Sequence, residues 1–155
     1  MIEIKNFVAC PEVLPLVAQR VFEQWFSTTP GYSADAMLAR MRGGRERELP
    51  IGLVAFFDGE PAGTVSLLER DLKEPTTLRP WLAGLLVFPE FRKAGVGSKL
   101  VRAVEQNAAL ISEREVYLVT EIPEYYERMG WTITGPSALD ESAVIMRREV
   151  VPSEG

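Results

Sequence analysis

Gly95 and Gly97 stand one residue apart, with Arg92 and Lys93 just before them and Val96 between. That combination can hold an anion. Glycines let the backbone turn without Cβ clashes, and where a helix opens at such a turn its first amides are unpaired and carry about half a positive charge. Arg92 and Lys93 add formal charge, so the site suits a diphosphate. A plain strand-to-helix turn shows the same glycine pair, and the neighbouring residues must decide. A dinucleotide fingerprint needs a third glycine where Leu100 stands, and a P-loop needs a Gly-Lys pair followed by Ser or Thr, which the order Gly97-Ser98-Lys99 does not supply. Both nucleotide readings, and a kinase-like domain with them, are weakened.

The rest of the reactive inventory is short. The 155 residues contain no histidine and one cysteine, Cys10. Histidine bases, Ser-His-Asp and Cys-His schemes and cysteine-rich zinc sites are thereby excluded, and no metal is expected. Any acid or base is Glu, Asp, Tyr, Lys, Cys10 or a water. A lone cysteine fits a reducing compartment. The net charge of −5 argues against sequence-independent nucleic-acid binding, which needs a basic surface, and is compatible with an amine-bearing partner.

At 46% hydrophobic and 25% charged residues, the chain has the make-up of an ordinary globular protein, and its length suits a single domain over 1–150 with a frayed tail at 151–155. The longest apolar run, Trp81 to Phe88, is too short to span a membrane, and the first residues lack the pattern of a signal peptide. A cytoplasmic protein without membrane contact is expected.

The elements that must position the glycine pair follow from periodicity. Ile2 and Ile4 open a strand, and Pro11 permits a helix reaching about Phe26, with Val13, Leu16, Val17, Val21 and Phe22 as its core side. Ser33 can cap a second helix bearing Met37, Leu38 and Met41, closed by Gly43-Gly44. Ile51–Phe57 and Ala62–Leu68 flank Asp58-Gly59 and read as a hairpin. Residues 69–80 are polar and proline-bounded, hence a long loop. Trp81–Phe88 reads as a strand buried on both faces. Leu100, Val101, Val104, Ala108 and Ile111 mark an amphipathic helix over roughly 95–110. Val116–Thr120 is a strand and Tyr125–Met129 a short helix stopped by Gly130. Strands near 131–134 and 143–148 follow, joined by a Gly135-Pro136 loop. The order β-α-α-β-β-β-α-β-α-β-β predicts an α/β (α+β) fold with a mixed sheet flanked by helices.

Leu85-Leu86-Val87-Phe88-Pro89-Glu90-Phe91-Arg92-Lys93-Ala94-Gly95-Val96-Gly97-Ser98-Lys99-Leu100 resembles motif A of the GNAT superfamily of N-acetyltransferases, and Tyr125-Tyr126-Glu127-Arg128-Met129-Gly130-Trp131 resembles its motif B, in the expected order. The resemblance covers most of residues 50–148 and extends more loosely over the two N-terminal helices. It implies the acyl-CoA N-acyltransferase fold, a mostly antiparallel sheet of six to seven strands with about four helices, and an acetyl-CoA site. The backbone of Leu85, Leu86 and Val87 would pair with the pantetheine arm in a splay between the fourth and fifth strands. The amides of Arg92, Lys93, Ala94, Gly95, Val96, Gly97 and Ser98 would receive the diphosphate. An amide near Val87 would polarise the acetyl carbonyl.

On that resemblance the chain is an N-acetyltransferase moving an acetyl group to a primary amine by direct attack. Only about one alkylamine in a thousand is neutral at pH 7, a cost of about 4 kcal/mol, so a base or a water chain would help. Tyr126 takes the family's place for the acid that serves the leaving thiolate, and Tyr125 that of a core-facing aromatic. Glu69 is the first choice of base, with Asp71 and Glu121 also placed for it, and Glu90 reads as structural. Asp71 and Trp81 would face the substrate. Arg70 departs from a histidine common in similar acetyltransferases, and Thr120-Glu121 from a frequent asparagine. The rival reading is a catalytically silent acetyl-CoA-binding regulatory domain. A homodimer is compatible with the family, and no residue pattern decides it.

Overall fold

The structure, a computed structural model, describes residues 1–70 and 74–152. Seven strands form one sheet: β1 (Ile2–Asn6), β2 (Ile51–Phe57), β3 (Glu60–Leu68), β4 (Trp81–Val87), β5 (Glu115–Thr120), β6 (Thr132–Pro136) and β7 (Val144–Glu149). Their spatial order is β1-β2-β3-β4-β5-β7-β6, and every neighbouring pair is antiparallel except β4 with β5. Four helices, α1 (Leu14–Trp25), α2 (Ala34–Arg42), α3 (Val96–Leu110) and α4 (Pro123–Glu127), complete the fold. The predicted mixed architecture and element order are the observed ones.

Sequence alternation divides the core in two. Ile51, Leu53 and Ala55 of β2 and Val65 and Leu67 of β3 pack with Leu100, Val101, Val104 and Ala108 of α3. Val54 and Phe56 point the other way, against Leu14, Val17, Ala18 and Val21 of α1 and Met37 of α2. Strand period two thus gives the sheet a face for α3 and a face for α1 and α2. Gly52 is needed on the second face, because a Cβ there would lie 2.1 Å from the Phe7 ring.

Local signals account for the ends. Ser33 caps α2 by accepting from the Ala36 amide at 3.0 Å. Asp58 (φ 48°) and Gly59 (φ 86°) make the predicted hairpin turn. Three expectations need correction. Leu16 is about half exposed while Leu14 and Ala18 are buried, so the inward stripe of α1 is 14, 17, 18 and 21. Gly135-Pro136 is no loop: it belongs to β6, which shifts register there and keeps pairing with β7. β4 is not buried on both faces throughout, since Gly84 is exposed. Of the 151–155 tail, Val151 and Pro152 lack regular structure and 153–155 lie outside the described residues.

Candidate functional site

β4 is bonded along one edge and open along the other. On the β3 side the register runs from Leu68↔Trp81 to Gly63↔Val87, extended by the Phe88 amide donating to the Ala62 carbonyl at 2.8 Å. On the β5 side the only register pair is Trp81↔Tyr117, beside the Tyr117 amide donating to the Pro80 carbonyl. Beyond it the two strands part. Thr64 faces Leu86 while Ser66 faces Ala83, so β4 carries one extra residue between them. Gly84 takes up that bulge at φ 66°, a left-handed conformation that glycine adopts without strain. Bulges increase local twist, which is a physical reason for β4 to turn away from β5.

The open edge leads to the glycine turn. After a short 3₁₀ turn at Pro89–Phe91, Arg92 is extended, Lys93 sits at φ 68° and Gly95, the N-cap of α3, at φ 85°. Left-handed residues at such a turn, followed by the unpaired amides at the start of α3, make a concavity suited to an anion. The first intrahelical bond recorded at the turn is Lys99 amide to Gly95 carbonyl, at 3.2 Å. Arg92, Lys93, Ala94, Gly95 and Ser98 are exposed around this concavity, whereas the Val96 side chain is core. At Gly97 an added Cβ would lie 2.5 Å from Tyr125 Oη and 3.5 Å from Val87 Cγ2, so the turn, the end of β4 and α4 meet there with no room to spare. Leu85, Leu86 and Val87 turn their side chains into the two cores and leave only backbone for the open edge. These residues fit a diphosphate followed by an extended arm.

The two tyrosines have different surroundings from those expected. Tyr125, read as core-facing, has its hydroxyl at the α3 turn beside Ser98 and Gly97. Burial pushes its phenol up, and the Ser98 contact partly offsets this. Tyr126 is the core residue, 7% exposed and edge-on to Tyr125 (5.0 Å) and Trp131 (6.1 Å). Burial, with Tyr125 adding, pushes its phenol up to about 12.

Buried Glu105 on α3 fastens this corner, a role sequence reasoning missed. It accepts from Trp131 Nε1 at 3.2 Å and from Arg102 Nη1 at 3.0 Å, and lies 3.4 Å from Arg148 Nε. The last contact attracts without hydrogen-bond alignment, and Arg148 Nη1 donates instead to the Gly130 carbonyl. A second tether joins α1 to the turn after β4. Arg20 pairs with Glu90 through both terminal guanidinium nitrogens, Nη2 and Nη1 (2.5 and 3.1 Å), and lies over the Phe88 ring, in line with a structural Glu90. The Arg20 hydrogen bonds hold the Glu90 carboxyl below its ordinary range.

The other predicted site residues make contacts of their own. Glu69 is exposed, 3.8 Å from Arg79, which also pairs with Glu113 at 3.2 Å. Trp81 is wholly buried, donates Nε1–H to the Leu78 carbonyl and packs on Tyr117, so it presents no surface to a substrate. Glu121 is exposed after β5 and accepts from Ser142 Oγ at 2.9 Å. Asp71 lies outside the described residues. A cavity of about 260 Å³ that no sequence signal indicated lies on the α1/α2 face of the sheet, beneath the β4 bulge. Among the described residues no helix is long and apolar enough to cross a membrane, and no cluster of potential metal ligands occurs.

Residues 17–131 match the model of the acetyltransferase (GNAT) family. Among solved structures, an aminoglycoside 6'-N-acetyltransferase complexed with coenzyme A aligns with a TM-score of 0.73 at 18% identity, covering 99% of each chain. The aminoglycoside 6'-N-acetyltransferase from Enterococcus faecium aligns at 0.71 and 18%, again over 99% of both chains. Ard1 from Thermoplasma volcanium aligns at 0.67 and 23%, over 97% of this chain and 98% of its own. No curated protein matches in sequence. At such identities the structural likeness speaks for the fold alone.

Proposed function

Because the chain belongs to the GNAT acetyltransferase family, whose model spans residues 17–131, we propose that it transfers the acetyl group of acetyl-CoA to a primary amine by direct attack. The observation that carries this reading is the open edge of β4, which ends in the concave amides ahead of α3. Acetyl-CoA supplies an activated thioester. The amides from Arg92 to Ser98 bind its diphosphate, assisted by the Arg92 and Lys93 charges and the α3 dipole. The backbone of Leu85 to Val87 takes the extended arm as an added strand would be taken, and an amide at this edge polarises the carbonyl. The family expectation that Tyr126 protonates the leaving sulfur is modified by its environment. A phenol raised to about 12 would give up its proton to a thiolate of ordinary pKa, about 8.5, uphill by about 5 kcal/mol. Its part is therefore to stay neutral and donate a hydrogen bond, while the amine's own proton serves the sulfur or leaves through water. Glu69, held by Arg79, and the buried Trp81 are left out of this reading.

Acetyl-CoA at 100 times its Kd should stabilise the protein by about 2.7 kcal/mol, a rise of roughly 5–11 °C in Tm. Amine-dependent release of free thiol then tests turnover. No thermal shift refutes the acetyl-CoA site. A shift without thiol release from any amine favours the silent regulatory domain instead. We further propose a single domain over 1–150, a cytoplasmic location and no role for nucleic acid, membrane or metal.

A further inference from the structure

The cavity beneath the β4 bulge touches Ala83 and Gly84, at the start of the strand segment that would take the acetyl-bearing arm. Its walls are mostly apolar and aromatic, with Trp25 and Phe26 from the end of α1 and Met37 and Met41 from α2, beside the hydroxyls of Thr64 and Ser66 on β3. Among the described residues lining it no carboxylate occurs, and the only ionisable side chain is Arg40. Arg40 is exposed and makes no ion pair among the described residues. At about 260 Å³ the cavity is below the range of about 300–1,000 Å³ common for drug-sized ligands.

A polycation finds nothing here to neutralise it and is repelled by Arg40. A small molecule with an apolar body and one carboxylate gains both burial and a charge-assisted, two-pronged contact with the guanidinium. We propose that the acceptor is an α-amino acid with an apolar side chain, its carboxylate on Arg40 and its amine toward the Gly84 bulge. The inference rests on the acetyl-transfer reading above. In the step, the amine nitrogen bonds to the acetyl carbon, the carbon–sulfur bond breaks and coenzyme A leaves as the thiol. An acceptor that arrives as an ammonium ion releases one proton to water in the balance.

The test measures thiol release with L-phenylalanine, L-methionine, phenethylamine and kanamycin, in wild type and Arg40→Gln, with acetyl-CoA affinity measured by calorimetry on both. The expected result is a kcat/KM for L-phenylalanine about tenfold or more above that for phenethylamine, little turnover of kanamycin, and collapse of the first ratio in Arg40→Gln through KM. Unchanged acetyl-CoA affinity in Arg40→Gln shows that the variant is folded; if it is lost, Arg40→Lys, which keeps the charge and loses the fork, takes its place with the same ratio expected to fall. Turnover of phenethylamine or kanamycin in preference to the amino acids, or a ratio indifferent to Arg40, overturns this inference and leaves acetyl transfer standing. Thiol release from no amine, or failure to bind acetyl-CoA, overturns both.

Discussion

Burial of Tyr126 makes a prediction in which pH is the perturbation. Its phenol ionises at 10.0 when unperturbed and at about 12 in the folded protein. The folded value is raised, so the contribution of the neutral phenol is fully present below pH 10 and is lost as pH climbs through about 12. Two units correspond to about 2.7 kcal/mol in full, and at pH 11 about half, roughly 1.4 kcal/mol, has already gone. Tyr125 and Tyr117 are also pushed up by burial and contribute their own alkaline loss. The informative quantity is therefore the difference between wild type and Tyr126→Phe. Urea unfolding of both proteins between pH 8 and 11 should show the wild type losing about 1.4 kcal/mol more than the variant. Equal pH dependence would mean that Tyr126 ionises as a free phenol, and the hydrogen-bond role argued from its burial would fall. The same raised value leaves the basic limb of the kcat/KM profile without a Tyr126 ionisation below pH 11. Tyr126→Phe should lower kcat by about 10–100-fold, the worth of one hydrogen bond to a charged sulfur, with little change in acetyl-CoA affinity.

Other outcomes follow from single contacts. Gly97→Ala puts a methyl 2.5 Å from Tyr125 Oη at the proposed diphosphate turn, so acetyl-CoA affinity measured by calorimetry should fall about tenfold or more while the unliganded Tm changes little, because the tip of Tyr125 can move. Glu105→Ala leaves the Trp131 N–H without its buried acceptor and Arg148 without a nearby carboxylate, and should cost about 2 kcal/mol in urea unfolding, with Glu105→Gln recovering part of it through the Trp131 bond. Gly52→Ala drives a Cβ to 2.1 Å from the Phe7 ring and should destabilise by about 2–3 kcal/mol without touching the proposed acetyl-CoA site. Glu90 ionises below its ordinary 4.5, so its pairing with Arg20 contributes above that pH and is lost as pH falls; the stability gap between wild type and Arg20→Met should narrow steadily from pH 5 to pH 3.

How much of this was legible in the sequence depends on whether a feature is local. Helix and strand periods, the Ser33 cap and the Asp58-Gly59 turn are written in neighbouring residues, and the element order read from them is the observed one. The turn ahead of α3, proposed above to take the diphosphate, was legible as a turn for the same reason, since Arg92 to Ser98 is one continuous stretch. The splay of β4 from β5 is set by a bulge whose only local trace is Gly84, inside a run of apolar residues that looked uniformly buried. Which tyrosine faces the turn was not legible either. Adjacent residues on a helix differ by about 100° in direction, and the choice is made by Glu105 and Arg148, distant in sequence, which fix where Gly130 and Trp131 lie against α3. Trp81 was misread because a tryptophan at a strand's start looks the same whether its ring meets solvent or, as here, Tyr117.

The acceptor side is the least local of all. The cavity proposed for it draws on α1, α2, β2, β3 and β4, so no window of sequence contains it, and the acidic net charge was compatible with an amine-bearing partner without saying what else that partner carries. Net charge sums over the whole surface, whereas recognition depends on the few groups within a Debye length of about 8 Å that share a wall with the ligand. At that wall the described charge is Arg40 alone. A chain that is negative overall can therefore select an acceptor by its carboxylate, provided the local cation is the only charge left unpaired where that carboxylate must dock.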